Sequence, residues 1–167
     1  TRENPVKIDV GDGEHVMVGV AAPGIYAGSL MHVSCSNITI VGKGQGKTTI
    51  LGGFYVNSKD NVKIEQLSST NGTGEGLVCQ GSGTKVDATE CCFKKCRSSG
   101  MSVVDGAIVT ATRCEFMESV YACGVYCAAA KTKVRLNDCK MHHNRNRGLG
   151  ADDHAVVDLH GTKTGIH

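Results

Sequence analysis

Five of the seven histidines, His142, His143, His154, His160 and His167, crowd into the C-terminal stretch, interspersed with Asp138, Asp152, Asp153 and Asp158. Imidazoles and carboxylates exchange protons near neutral pH and ligate transition metals, so acid–base catalysis or a metal centre is the chemistry this stretch suggests. Asp138, His143, Asp152, Asp153 and His160 are the catalytic candidates. A second chemistry is suggested by residues 41–49, VGKGQGKTT, which resemble a phosphate-cradling loop. That loop needs four residues between its first glycine and the Gly-Lys-(Ser/Thr) end, whereas Gly42 and Gly46 enclose three. The residues that follow, ILGGFYV, cannot open the helix whose N-terminus would face the phosphate. A turn leading into a strand is expected here, without a nucleotide site.

The elements that must position these residues are written as a repeat. A glycine-led register begins at Gly53, Gly76, Gly100, Gly124 and Gly148, at an interval that varies by no more than one position. A second register, Ile38, Val62, Val86, Val109, Val134 and Val157, is followed two positions later by Ile40, Ile64, Ala88, Ala111, Leu136 and Leu159, with polar residues mostly between. This two-residue alternation is that of a strand with one buried face. A third column, Cys91, Cys114 and Cys139, is followed two residues on by Phe93, Phe116 and Met141. About three short strands per repeat, joined by turns, close into one rung, and rungs stack in parallel about 4.8 Å apart. The leading glycines are expected where φ is positive or where backbones pass closely.

Stacking also decides what the acidic and histidine residues can do together. It sets His160 beside Asn137, His143 beside Glu118 and Ile166, and Asp153 beside Ala129, so no three ligands aim at one point. Solvated turn residues, and no metal site, are expected.

Residues 144–151 and 155–159 resemble the turn and alternating-strand pieces of right-handed parallel β-helix proteins of the pectin-lyase-like fold, in particular their carbohydrate-binding and sugar-hydrolase repeats. The resemblance covers about residues 37–167. It implies an all-β, right-handed parallel β-helix (solenoid) with three parallel sheets and about six rungs, each of roughly 24 residues. It also makes enzyme signatures worth checking. Asp152 and Asp153 match the paired acids of galacturonan hydrolases, but their N-T-D, G-H-G and R-I-K motifs are absent. Calcium-dependent lyases need carboxylates stacked on one sheet, whereas the outward column Thr39, Lys63, Asp87, Thr110, Arg135 and Asp158 has isolated acids. The expected function is a non-catalytic module offering a rigid face to a glycan or a protein, with Tyr55 and Tyr126 in the outward column of the glycine-led strand as ligand-binding candidates and no cofactor. The alternative is a polysaccharide lyase, hydrolase or epimerase, with calcium as its cofactor and a groove near Asp138, His143, Asp152, Asp153 and His160.

Composition narrows the partners. The 167 residues carry a net charge of +2 with 18 scattered basic residues, which argues against nucleic acid and anionic membranes. Nine cysteines, several in inward columns, read as buried free thiols and favour a reducing compartment; Cys92 and Cys123, off those columns, are expected to be exposed and reactive. Asn37 and Asn71 head glycosylation triplets. Residues 1–36 read as an irregular first rung or cap, and 37–167 as the repeats. The last rung stops halfway round without a cap, so a longer native protein or end-to-end self-association is expected.

Overall fold

A computed structural model describes residues 5–17 and 29–167. They form a parallel β-solenoid of about six turns with three sheets and no helix. The first sheet contains, in spatial order, β1 (Val6–Asp9), β4 (Ile38–Val41), β7 (Val62–Glu65), β10 (Lys85–Thr89), β13 (Ile108–Thr112), β16 (Lys133–Asn137) and β19 (Val156–His160). The second contains β2 (Gly13–Val16), β5 (Thr48–Leu51), β8 (Ser68–Thr70), β11 (Cys92–Lys94), β14 (Glu115–Met117), β17 (Lys140–His142) and β20 (Gly165–Ile166). The third contains β3 (Leu30–Val33), β6 (Gly53–Asn57), β9 (Leu77–Gln80), β12 (Met101–Val104), β15 (Val125–Cys127) and β18 (Leu149–Ala151).

The strands pair in the register set by the repeat. Ile38 faces Val62, Val62 faces Val86, Val86 faces Val109, and Val109 faces Val134, so the inward side chains form continuous ladders. Residues 42–51 give the expected turn and strand. Strands β1, β2 and β3 head the three sheets, and Val6 pairs with Ile38, which makes the first rung longer than those that follow. The strand reading through His15–Val20 and the loop at Pro23 and Gly24 extend outside the described residues. Apolar ladder ends are exposed at Val6 and Ile8 and again at Leu159 and Ile166.

None of the five leading glycines has a left-handed φ, so close approach is the reason for them. A Cβ at Gly76, Gly100 or Gly124 would lie 2.7–2.8 Å from the carbonyl oxygen of the equivalent glycine one rung on. The left-handed positions are elsewhere. Each rung turns from the first sheet into the second at one residue, and Gln66, Glu90, Arg113 and Asp138 there have φ of 52–54°. Such a conformation costs a non-glycine residue about 1 kcal/mol or more. It keeps the ladder unbroken, because the amides of Gln66, Glu90, Arg113 and Asp138 all still donate to the next rung. Side chains add to this: Gln66 Nε2 donates to Glu90, and the Arg113 guanidinium meets Glu90 Oε1 at 2.9 Å. These hydrogen bonds, then the charge of Arg113, hold the Glu90 carboxyl below its ordinary range.

All nine cysteines are free thiols, and eight are buried. Cys91, Cys114 and Cys139 stack inward, each thiol donating to a carbonyl of the preceding rung at 3.3–3.4 Å. Burial pushes the Cys79 and Cys127 thiols up, Cys127 to about 11. The expectation of exposed Cys92 and Cys123 is corrected: both are buried, and Cys35 is the exposed thiol. Cys92 points outward, but that stretch of the second sheet lies under the 43–47 loop, tied down by the Ser68 hydroxyl donating to the Gln45 carbonyl. Burial first, then the Glu115 carboxylate, raise the Cys92 thiol to about 11. Cys123 fills the space left by the missing side chain of Gly150, whose Cβ would meet its Sγ at 3.1 Å. A thiol-reactive maleimide is therefore expected to label Cys35 alone in the folded protein, and all nine after denaturation. Mass spectrometry of the labelled peptides checks this, and equal labelling of Cys92 or Cys123 would contradict it.

Candidate corner cleft

A column of polar side chains lies where the second sheet turns into the third. The chain passes this corner once per rung, and Thr73, Arg97, Tyr121 and Arg145 stack there, evenly spaced at the interval of the repeat. Backbone bonds fix the column: the Arg97 amide donates to Asn71 O at 2.8 Å, Tyr121 to Arg97 O at 3.1 Å, and Arg145 to Ser119 O at 3.0 Å. Two asparagines brace it from inside. Asn144 accepts from the Ser119 amide and donates to Phe116 O, both at 3.0 Å. Asn71, 2% exposed, donates to Glu75 O and accepts from Thr73 and Gly74. That side chain is a structural brace, so its glycosylation triplet is closed off in the fold.

Tyr121 is 60% exposed. Arg97 and Arg145 place their guanidinium carbons 5.3 and 5.8 Å from its ring centroid, the cation–π range. Among the described residues neither arginine has a carboxylate partner. Thr73, Arg97, Ser98 and Tyr121 line a cleft of about 300 Å³. Ser98 is shared with a second cleft of about 300 Å³, lined also by Glu75, Ser99, Ser102, Cys123, Tyr126 and Asn146. The Tyr126 hydroxyl is held above its ordinary range, first by partial burial and then by the neighbouring Asp152 carboxylate. Together the two clefts offer aromatic rings, serine and asparagine hydrogen-bonding groups, the Glu75 carboxylate and the Arg97 guanidinium, with Arg145 on the far side of Tyr121.

The second sheet carries another cluster. His142 Nε2 lies 2.8 Å from Glu115 Oε1, and His142 Nδ1 lies 2.6 Å from His143 Nδ1. When His142 donates from Nε2 to Glu115, its Nδ1 accepts from His143 Nδ1, so the two rings and the carboxylate form one hydrogen-bonded chain. Neither Glu115 nor its contact with His142 was evident from the repeat, because the pair runs diagonally: Glu115 faces Lys140, and His142 faces Met117.

The other candidates are dispersed. Asp138 occupies the bend between the first and second sheets, where its Oδ1 accepts from the Lys163 amide at 3.2 Å. His160 is opposite Asn137 on the first sheet. Asp152 and Asp153 follow β18 at the corner leading back to the first sheet, where Asp153 has a left-handed φ of 51°. Ile166 faces Met141 and falls short of the position beside His143 that stacking implied, because the bend between β19 and β20 is longer than the register allows for. Tyr55 is occupied locally: its hydroxyl donates to Gln80 Oε1 at 3.0 Å and accepts from Asn57 Nδ2 at 3.1 Å. Val78, next in the same outward column, is buried. Among the described residues no three His, Cys, Asp or Glu side chains are grouped to hold a metal ion. Asp87 and Asp158, the acids of the outward column on the first sheet, stand on strands separated by β13 and β16.

Tyr121, Arg97 and Arg145 were missed by the sequence reading, although their constant spacing was the available signal. Comparison with known proteins agrees with the architecture. Residues 16–163 match the model of a family described as "right handed beta helix region". Among solved structures, the chain is similar to ORF18 of Geobacillus virus E2, with a TM-score of 0.58 and 14% sequence identity. The match covers 95% of this chain and 32% of that one, so this chain spans about a third of the viral protein's length. At that identity the likeness is one of fold.

Proposed function

The chain belongs to the right-handed β-helix family, and we propose that it is a non-catalytic module that binds a glycan along the corner between its second and third sheets. The observation that carries this reading is the paired cleft that joins Tyr121 and Tyr126 through Ser98. Sugars present apolar ring faces edged with hydroxyls. A tyrosine answers both features, and serine and asparagine side chains complete the hydrogen bonding. The scaffold supports the reading as well: strand and bend backbones are tied rung to rung, so the cleft is assembled before any ligand arrives. Catalysis lacks comparable support, because the acidic residues of the last rungs are on separate bends and sheets.

The Glu115–His142–His143 chain favours one second reading, a polysaccharide-cleaving enzyme with His143 as general base. Binding to an immobilised glycan panel, with recovery and sizing of the bound sugar, separates the two. The expected outcome is retention of a subset of glycans at unchanged length and about tenfold weaker retention by Tyr126→Ala, the equivalent of about 1.4 kcal/mol. A panel that stays blank, or a Tyr126→Ala variant with unaltered binding, would overturn the proposal.

A further inference from the structure

We propose that the Arg97–Tyr121–Arg145 column is a subsite for oxyanion substituents, carboxylate or sulfate ester, which makes the ligand of the corner cleft an anionic glycan; this rests on the glycan-binding reading above. The chain has carboxylates, and Arg113 and Arg135 find theirs in Glu90 and Asp158. Arg97 and Arg145 instead flank the ring of Tyr121. A cation held near an aromatic ring keeps its charge and its N–H donors, because the ring accepts none of them in the guanidinium plane. The ring therefore acts as a positioning platform, and both forks remain free for paired oxygens.

The ligand class follows from spacing and surroundings. Arg97 and Arg145 leave the backbone two rungs apart, about 10 Å along the solenoid axis. Each takes its own oxyanion, which fits a polymer with repeated charge better than one small anion. Ser98 carries the cleft on to Ser99, Ser102, Asn146 and Tyr126, hydroxyl and amide groups suited to sugar hydroxyls, and to the Glu75 carboxylate, which confines the oxyanion substituents to the arginine end. Ser98 adds a hydroxyl beside Arg97. Asn71 and Asn144 hold the backbone beneath, so the column needs no rearrangement to bind.

The test is calorimetric titration of the protein with heparin, polygalacturonate, dextran and poly-L-glutamate, which represent sulfated, carboxylated and neutral glycans and an acidic peptide. Binding to heparin or polygalacturonate is expected to be at least about tenfold tighter than to dextran, and whichever of the two binds identifies the oxyanion. Arg97→Ala/Arg145→Ala should weaken it by at least about tenfold, since both charge-assisted forks are removed. Lys63→Ala/Lys133→Ala removes equal charge from the exposed face of the first sheet and should leave affinity unchanged. Tyr121→Phe, which keeps the platform, should retain binding, and Tyr121→Leu should lose it, with unaltered melting temperatures excluding misfolding. Equal losses for the two double variants, or dextran bound as tightly as the anionic polymers, would overturn the subsite and leave glycan binding standing. Tighter binding of poly-L-glutamate than of either anionic glycan would overturn the glycan assignment. Failure of all four polymers to bind would overturn both.

Discussion

Gly76→Ala is expected to destabilise the protein by about 3 kcal/mol, a loss large enough to read directly in a urea unfolding curve. The new Cβ would lie 2.7 Å from Gly100 O, 2.9 Å from Phe93 Cδ1 and 3.0 Å from Cys96 Sγ. None of the three can retreat cheaply. Gly100 O accepts the Leu77 amide at 3.0 Å, so moving it breaks the ladder between β9 and β12. Phe93 is stacked on Phe116, and Cys96 is fully buried. Gly72→Ala is the matched control: a Cβ there meets nothing within 4 Å, and a change within about 0.5 kcal/mol is expected. Equal midpoints for the two variants would show that close approach is not what fixes the glycine register.

Phe116→Ala should cost more, about 3–5 kcal/mol. Phe116 is fully buried and stacks on Phe93 with ring centroids 5.4 Å apart and planes 8° from parallel. Its removal opens a cavity that the neighbouring rungs cannot fill, because their Cα positions are held by the hydrogen bonds of β11, β14 and β17. In a solenoid each rung is stabilised mainly by its neighbours, so a gap at this central rung uncouples the two halves. Urea unfolding of the variant is expected to shift to a lower midpoint and broaden. The backbone carbonyl of Phe116 also accepts from Asn144, the brace beneath Arg145, so the corner cleft should loosen with the core. Phe116→Leu, which fills most of the space, should recover most of the stability. A Phe116→Ala protein as stable as the parent would contradict the packing account.

The ladders were legible in the sequence because a side chain that must stack on its own kind recurs at a fixed interval. Val62, Val86, Val109 and Val134 face one another as their spacing requires, and Cys91, Cys114 and Cys139 stack inward as read. What escaped depended on atoms outside the column. Cys92 occupies an outward strand position and is buried only because the 43–47 loop returns over it. Cys123 is enclosed because residue 150, one rung on, has no side chain. The bends at Gln66, Glu90, Arg113 and Asp138 are left-handed without glycine, so composition gave no sign of them. For the candidate site the balance was poorer. Tyr126 was legible as an outward tyrosine, yet its partners lie at the corner, where side-chain direction follows bend geometry rather than alternation. Glu115 and His142 meet across a diagonal that column reading does not sample. Of the acidic and histidine residues that first drew notice, only His142 and His143 join a cluster, with Glu115.

Binding without turnover is tested most directly by incubating the protein with the anionic polysaccharide it retains. The chain length of that polymer is followed by size-exclusion chromatography, alongside absorbance for unsaturated products. The expected result is a complex that persists while the polymer keeps its length. Shortened or unsaturated chains whose appearance is abolished by Glu115→Gln would contradict it and identify the His142–His143 cluster as catalytic.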